Sequence, residues 1–221
     1  MNKLLFLSLT SAFLLLGLFL ALAATIGRHH IAAFDSRVTE AVSRLASPAM
    51  TAVMMAFTAA GSGPCVTLLS LLGVLVLFAL GYRRELIFFV SVIVCSGLLN
   101  VLLKALFRRA RPDLHRIIDA AGYSFPSGHS MSAFTLYGVT IYFLWKHARH
   151  AGLRTALLLG GIAMTACIGI SRIYLGVHYP SDVAGGYIIS ASWLAASIGS
   201  YERFLKERWR SKKLSRPRTD G

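Results

Sequence analysis

Long apolar runs separated by short polar segments dominate this chain. Leu4 to Thr25 is continuously apolar or small, long enough to cross a bilayer as one helix. The pattern repeats at Cys65 to Leu80, Leu86 to about Leu103, Met131 to Trp145, Thr155 to about Ile170, and Ser181 to Ser200. The sequence therefore predicts six transmembrane helices. The first run also has signal-peptide features, with Lys3 before it and a small-residue end, but it is longer than the usual ~7–15-residue signal core. It is read as a retained helix. Residues 31–46 differ in kind. Ile31, Phe34, Val38, Val42 and Leu45 recur at helical spacing, and Asp35, Arg37, Glu40 and Arg44 fall between them. That pattern predicts a short amphipathic helix lying on the membrane surface. Ala49 to Ala60 is apolar but short for a crossing, so it is an interfacial piece or a lead-in, broken at Gly61-Ser62-Gly63-Pro64.

Composition agrees with a membrane protein. Of 221 residues, 56% are hydrophobic and 14% charged, and the mean hydropathy is +0.64. The expected architecture is all-α and polytopic. A single membrane domain covers residues 1–202, and a basic cytoplasmic tail covers 203–221. A net charge of +14 raises nucleic-acid binding as a function. The charges gather between and after the apolar runs, however, which argues for a bilayer and against nucleic acid. Cys65, Cys95 and Cys167 each sit inside an apolar run, and no spacing suggests a metal site or a disulfide framework.

Six spans put both termini on one side. The loops at 82–85 and 146–154, the tail and Lys3 all fall there, and their Lys and Arg content makes that side cytoplasmic. The loop at 107–125 is the exception. It carries Arg108, Arg109, Arg111 and Arg116 on the outer side, with Lys104 just before it. Anion binding would explain a cationic cluster in that position.

Three polar stretches share that outer level. The first is Lys104 through Arg111-Pro112, where a seven-residue spacing would put Lys104 and Arg111 on one helical face until Pro112 ends the helix. The second is Ser124 to Ser130, SFPSGHS. Pro126 suits a first helical turn, which would leave the N–H groups of Ser127, Gly128 and His129 pointing outward at the positive end of the dipole, with His129 beside a bound anion. The third is Ser171-Arg172, then His178 and Asp182. Taken singly, Lys104 and Arg172 could be snorkelling side chains, His178 an interfacial histidine, and Asp182 a helix-start carboxylate. Three clusters in order on one face make that account unsatisfactory.

Together these stretches resemble the type 2 phosphatidic acid phosphatase family of membrane lipid phosphatases. The family pattern is a lysine, six residues and Arg-Pro; then Pro-Ser-Gly-His; then Ser-Arg, five residues, His, three residues and Asp. Lys104 with Arg111-Pro112, Pro126-Ser127-Gly128-His129, and Ser171-Arg172 with His178 and Asp182 match it without departure. The resemblance covers Lys104 to Asp182 and is closest to short bacterial members acting on phosphatidylglycerol phosphate or undecaprenyl pyrophosphate. It implies His178 as nucleophile, Asp182 as the acceptor from its other ring nitrogen, and His129 as general acid. Lys104, Arg111, Arg172 and the backbone at Ser127 and Gly128 would hold the phosphoryl oxygens. Arg108, Arg109 and Arg116 stand outside the pattern, either attracting anionic headgroups or simply solvated.

The resulting expectation is a phosphatase of the bacterial inner membrane, with a lipid substrate, no cofactor and no metal requirement, and its site facing the periplasm. The sequence does not define an oligomeric state. A lipid phosphotransferase on the same scaffold shares every motif. An anion transporter would place charges deep within several spans, which these spans lack.

Overall fold

The computed structural model describes residues 3–113 and 116–214. They form eight helices: α1 Lys3–Gly27, α2 Ala32–Ser43, α3 Pro48–Ala60, α4 Gly63–Ala79, α5 Arg83–Phe107, α6 Gly128–His147, α7 Ala151–Tyr174 and α8 Pro180–Leu214. No strand occurs among the described residues. Local chemistry sets several of the ends. Ser47 caps α3 by accepting from Met50 N, with Pro48 behind it. Arg108 stops α5 by entering the left-handed region at φ 47°, its N–H returning to Lys104 O. At the start of α8, Asp182 reaches back to the N–H of Tyr179 at 2.8 Å, as in a capping box.

Each of the six predicted runs lies within a helix, except that Leu80, last of the second run, is the C-cap of α4. Four helices are individually long and apolar enough to cross a membrane: Leu5–Gly27, Arg83–Phe107, Ala151–Tyr174 and Pro180–Leu205. The expected count of six is thus met at four. α4 has only 17 residues and qualifies jointly with α3, across a 47° bend. The lead-in reading of residues 49–60 agrees with this arrangement. α6 has 20 residues but carries serine, threonine, tyrosine, lysine and histidine along its length, which the neighbouring α4, α5, α7 and α8 help to cover.

α1 lies along α8, close enough that Ser8 fills the space a Cβ on Gly199 would need. Ser192 Oγ also donates to Ala12 O at 2.8 Å. One apolar core joins α5, α6 and α8 through Phe89, Val92, Leu136, Val139, Phe143, Leu194 and Tyr201. A second lies beneath the polar turn before α6 and gathers Phe19, Leu103, Phe125, Met131 and Ile189. Phe125 is fully buried there. It stacks on Phe19 at 5.4 Å and meets Phe107 edge-on at 5.1 Å. Side chains such as Phe13, Leu14, Leu68, Leu75, Leu98 and Val101 face outward. A bilayer would be their natural solvent.

One expectation changes. α2 is not simply apolar-side-down, because Asp35 is its buried residue while Phe34 and Leu45 are exposed. A carboxylate enters a protein interior only with partners, and Asp35 has three donor atoms there. The basic segment expected from residue 203 begins inside α8, which continues to Leu214. The rest of the expected tail, 215–221, lies outside the described residues.

Candidate active site

The three polar stretches converge between the ends of α5 and α7 and the starts of α6 and α8. The first departs from its predicted geometry. α5 ends at Phe107 rather than near Arg111, so Lys104 and Arg111 do not share a helical face. Arg111 reaches the site from the loop. Its Nε and Nη2 donate to the carbonyls of Gly122 and Ala121, both at 2.9 Å, and its Nη1 donates to Val177 O at 2.9 Å.

The second stretch also differs from expectation. Pro126 precedes the helix, joined to Phe125 by a cis peptide, and Ser127 is the N-cap of α6, accepting from Ser130 N at 3.4 Å. The N–H of Ser127 is not free, because it donates to Asp182 O at 3.0 Å. The first-turn N–H groups of Gly128 and His129 have no partner within the helix by geometry. A Cβ on Gly128 would come within 3.1 Å of Asn100 Oδ1 and 3.8 Å of Lys104 Nζ. Lys104 therefore stands over the positive end of α6, where two sources of positive potential add.

Arg172, at the end of α7, is 4% exposed. It donates to Thr58 Oγ1 from Nη1, and its buried Nε has no partner among the described residues. Lys104, Arg111 and Arg172 are near enough to repel one another. His129 lies in the field of all three and of His178. A concentration of buried cationic donors with an orphaned N–H is unfavourable when empty and suits a phosphoryl group, whose oxygens can satisfy it.

His178 sits in the turn between α7 and α8, 1% exposed. Its hydrogen bonds assign the tautomer. Arg111 has no acceptor atom, so its Nη1, 3.1 Å from Nε2, must donate to that nitrogen and leave the ring proton on Nδ1. Asp182 does not accept that proton directly. Its Oδ2 lies 3.6 Å from Nδ1, beyond hydrogen-bond reach. Ser124 Oγ lies between them, 3.2 Å from Nδ1 and 2.5 Å from Asp182 Oδ2. The serine accepts from the imidazole and donates to the carboxylate. Burial lowers the His178 imidazole to about 4, against the attraction of Asp182, and the guanidinium groups of Arg111 and Arg172 push the same way as burial. The ring is neutral near pH 7, with its one lone pair on Nε2 aimed at the cationic cluster.

Every expected site residue is therefore brought to one place: His178, Asp182, His129, Lys104, Arg111, Arg172, Ser127 and Gly128. Three contributors were not singled out by sequence. Ser124 belongs to the recognised stretch, but nothing there ties its hydroxyl to a histidine 54 positions away. Arg109, outside the motif pattern, is not simply solvated. It bridges Asp182 Oδ1 at 2.6 Å and Asp35 Oδ2 at 2.7 Å. Asp35 reached this cluster without any spacing signal, because its partner Ser181 is 146 residues away. Arg116 pairs locally with Asp113 at 2.8 Å.

Comparison with known proteins agrees with this geometry. The family model of the PAP2 superfamily matches residues 85–206. Phosphatidylglycerophosphatase B of Bacillus subtilis is 34% identical over 176 residues, 76% of this chain and 84% of that protein. A lipid A 1-phosphatase of Rhizobium johnstonii is 34% identical over 109 residues, 45% of this chain and 41% of that protein. The crystal structure of a transmembrane PAP2-type phosphatidylglycerolphosphate phosphatase from Bacillus subtilis superposes with a TM-score of 0.77 at 30% identity, covering 87% of this chain and 96% of that one. A buried imidazole turned toward clustered cations, on a helical scaffold shared over nearly the whole of that structure, leaves little room for another assignment: the chain belongs to the PAP2 superfamily and is a membrane phosphatase.

Proposed function

We propose that the protein hydrolyses a lipid phosphate or pyrophosphate through a phosphohistidine on His178. The observation that carries this reading is the His178 tautomer: the proton is on Nδ1, and the Nε2 lone pair is held only by Arg111, at 3.1 Å. An arriving phosphate draws Arg111 toward its own oxygens and frees that lone pair. Nε2 then attacks phosphorus and the bond from phosphorus to the lipid oxygen breaks. The lipid oxygen takes a proton from His129, which the negative charge of the bound phosphate, offsetting the cations around it, allows to be protonated in the complex. Water then attacks the phosphorus, giving a proton back to His129; the bond from phosphorus to Nε2 breaks, its electron pair returns to His178, and inorganic phosphate leaves. Lys104, Arg111, Arg172 and the N–H groups of Gly128 and His129 neutralise the oxygens throughout, and in phosphoryl transfer that neutralisation supplies most of the acceleration.

No metal is needed in this scheme. Both oxygens of Asp182 already accept, from Arg109, Ser124 and Tyr179 N, and the clustered cations would repel a divalent ion. Phosphatidylglycerol phosphate is the leading substrate, in keeping with the name of the relative matched over most of the chain, and undecaprenyl pyrophosphate is the second. We also read α4 and α6 as spans, giving six crossings of a bacterial inner membrane. Both termini are then cytoplasmic and the site faces the periplasm, a reading supported by the Lys- and Arg-rich segments at 82–85 and 146–154, which adjoin the ends of α5, α6 and α7 away from the site.

The test is phosphate release by purified protein from phosphatidylglycerol phosphate, undecaprenyl pyrophosphate, phosphatidic acid and lysophosphatidic acid. Wild type and His178→Ala are compared, with protein quenched in alkaline detergent assayed for labelled phosphate, because the phosphorus–nitrogen bond of phosphohistidine is acid-labile and alkali-stable. Release without transfer to a second lipid identifies a hydrolase. Near-normal turnover by His178→Ala would overturn the mechanism.

A further inference from the structure

Asp35 is the only acidic side chain on α2 that is buried, at 1% exposure, and it is not idle. Its Oδ2 accepts from Arg109 Nη2 at 2.7 Å and from Ser181 Oγ at 2.6 Å, and its Oδ1 accepts from Ser181 N at 3.0 Å. Arg109 completes the connection. Its Nη1 donates to Asp182 Oδ1 at 2.6 Å and to Ser181 Oγ at 2.7 Å, and its guanidinium lies 4.3 Å above the Tyr179 ring. Asp35, Arg109 and Asp182 thus form a continuous carboxylate–guanidinium–carboxylate chain that ends at the residue supporting His178. The family match begins at residue 85, so Asp35 lies outside it.

We propose that Asp35 is a positioning residue for the nucleophile, acting through Arg109 on Asp182. The inference rests on the phosphohistidine reading given above. Without Asp35, Arg109 would balance the charge of Asp182 by itself, and His178 would face a neutral pair. With Asp35 present, two carboxylates share one guanidinium and the cluster keeps a net negative charge. Phosphorylation at Nε2, with the proton retained on Nδ1, puts positive charge on the imidazole, and a net negative support favours that charge. Geometry contributes as well. The fork of Arg109 is held from both sides, and it fixes the orientation of Asp182 and hence of Ser124.

A docking role for α2 would need none of this charge, and kinetics separate the two. Full-length wild type, Asp35→Asn, Asp35→Glu, Arg109→Lys and His178→Ala are purified in detergent and assayed on phosphatidylglycerol phosphate, with thermal unfolding measured beside them. Asp35→Asn should lower kcat by ~10–100-fold, about what loss of a hydrogen bond to a charged group costs in rate, and leave KM within about twofold. Asp35→Glu, which keeps the charge, should recover most of the loss. Arg109→Lys keeps a charge but cannot fork between two carboxylates, so it should lose kcat similarly even if Asp35→Asn fails to fold. Wild-type kcat in Asp35→Asn or in Arg109→Lys overturns the inference, as does an Asp35→Glu protein as slow as Asp35→Asn. If His178→Ala remains active, the underlying mechanism has failed. If His178→Ala is dead and Asp35→Asn is normal, only the role of Asp35 has.

Discussion

Replacing Ser124 by alanine removes one oxygen from the centre of the site and nothing from its outline. Ser124 is fully buried, and its hydroxyl makes two contacts, at 3.2 Å to His178 Nδ1 and 2.5 Å to Asp182 Oδ2. After the change the Nδ1 proton has no acceptor in reach, since the carboxylate is 3.6 Å away. A hydrogen bond to a charged group contributes ~1.5–3 kcal/mol. If that support is used as the imidazole becomes positive, the barrier rises by the same amount. At 1.36 kcal/mol per decade, kcat falls by ~10–150-fold. The assay is phosphate release at saturating lipid phosphate, with KM measured in parallel. A double-mutant cycle with Asp182→Asn adds the decisive reading, because two residues acting through one connection give losses that do not add. A kcat for Ser124→Ala within about threefold of wild type, or full additivity with Asp182→Asn, would refute the bridging role.

Two further predictions concern the same chemistry. Burial holds the His178 imidazole down to about 4 against an ordinary 6.5, so in ligand-free protein its ring should stay neutral and Nδ1-protonated as pH falls through 6. Histidine-labelled NMR in micelles, assigned with His178→Ala, measures this, and a titration midpoint at 6 or above would refute the effect assigned to burial. Vanadate should inhibit as a five-coordinate phosphorus mimic, competing with substrate for Lys104, Arg111 and Arg172, while EDTA should leave activity intact. Activity lost to EDTA and restored by magnesium would mean that the cations do not suffice, once an effect of magnesium on the lipid itself had been excluded.

The legible parts of this protein share one property: they depend on neighbours in sequence or on residue type. Apolar runs located every long helix, because a bilayer imposes a length and a composition on whatever crosses it. The motif residues were found for a related reason. Phosphate chemistry needs particular side chains, and each lies in a compact stretch next to a helix end. Where local rules competed, reading was less secure. Arg108 ends α5 in a left-handed turn before Pro112 can act, so the helical face that would join Lys104 to Arg111 never forms. Pro126 and Ser127 both suit a helix start, and the serine takes the cap.

What the sequence by itself determined is the membrane class, the positions of the helices and the chemical identity of the site. What only the tertiary structure decided is how that site is wired. Ser124 became the link between His178 and Asp182, Arg109 became a bridge, and Asp35 turned inward from a helix whose pattern put it among surface charges. These are contacts between residues 54 to 146 positions apart. The physical reason is that burying a charge is tolerated only where opposite charges and donors meet it in space. That condition involves several helices at once, so no single helix carries its signature. Periodicity reports the average environment of a face, whereas a buried carboxylate such as Asp35 is an exception allowed by the specific partners that packing delivers to it.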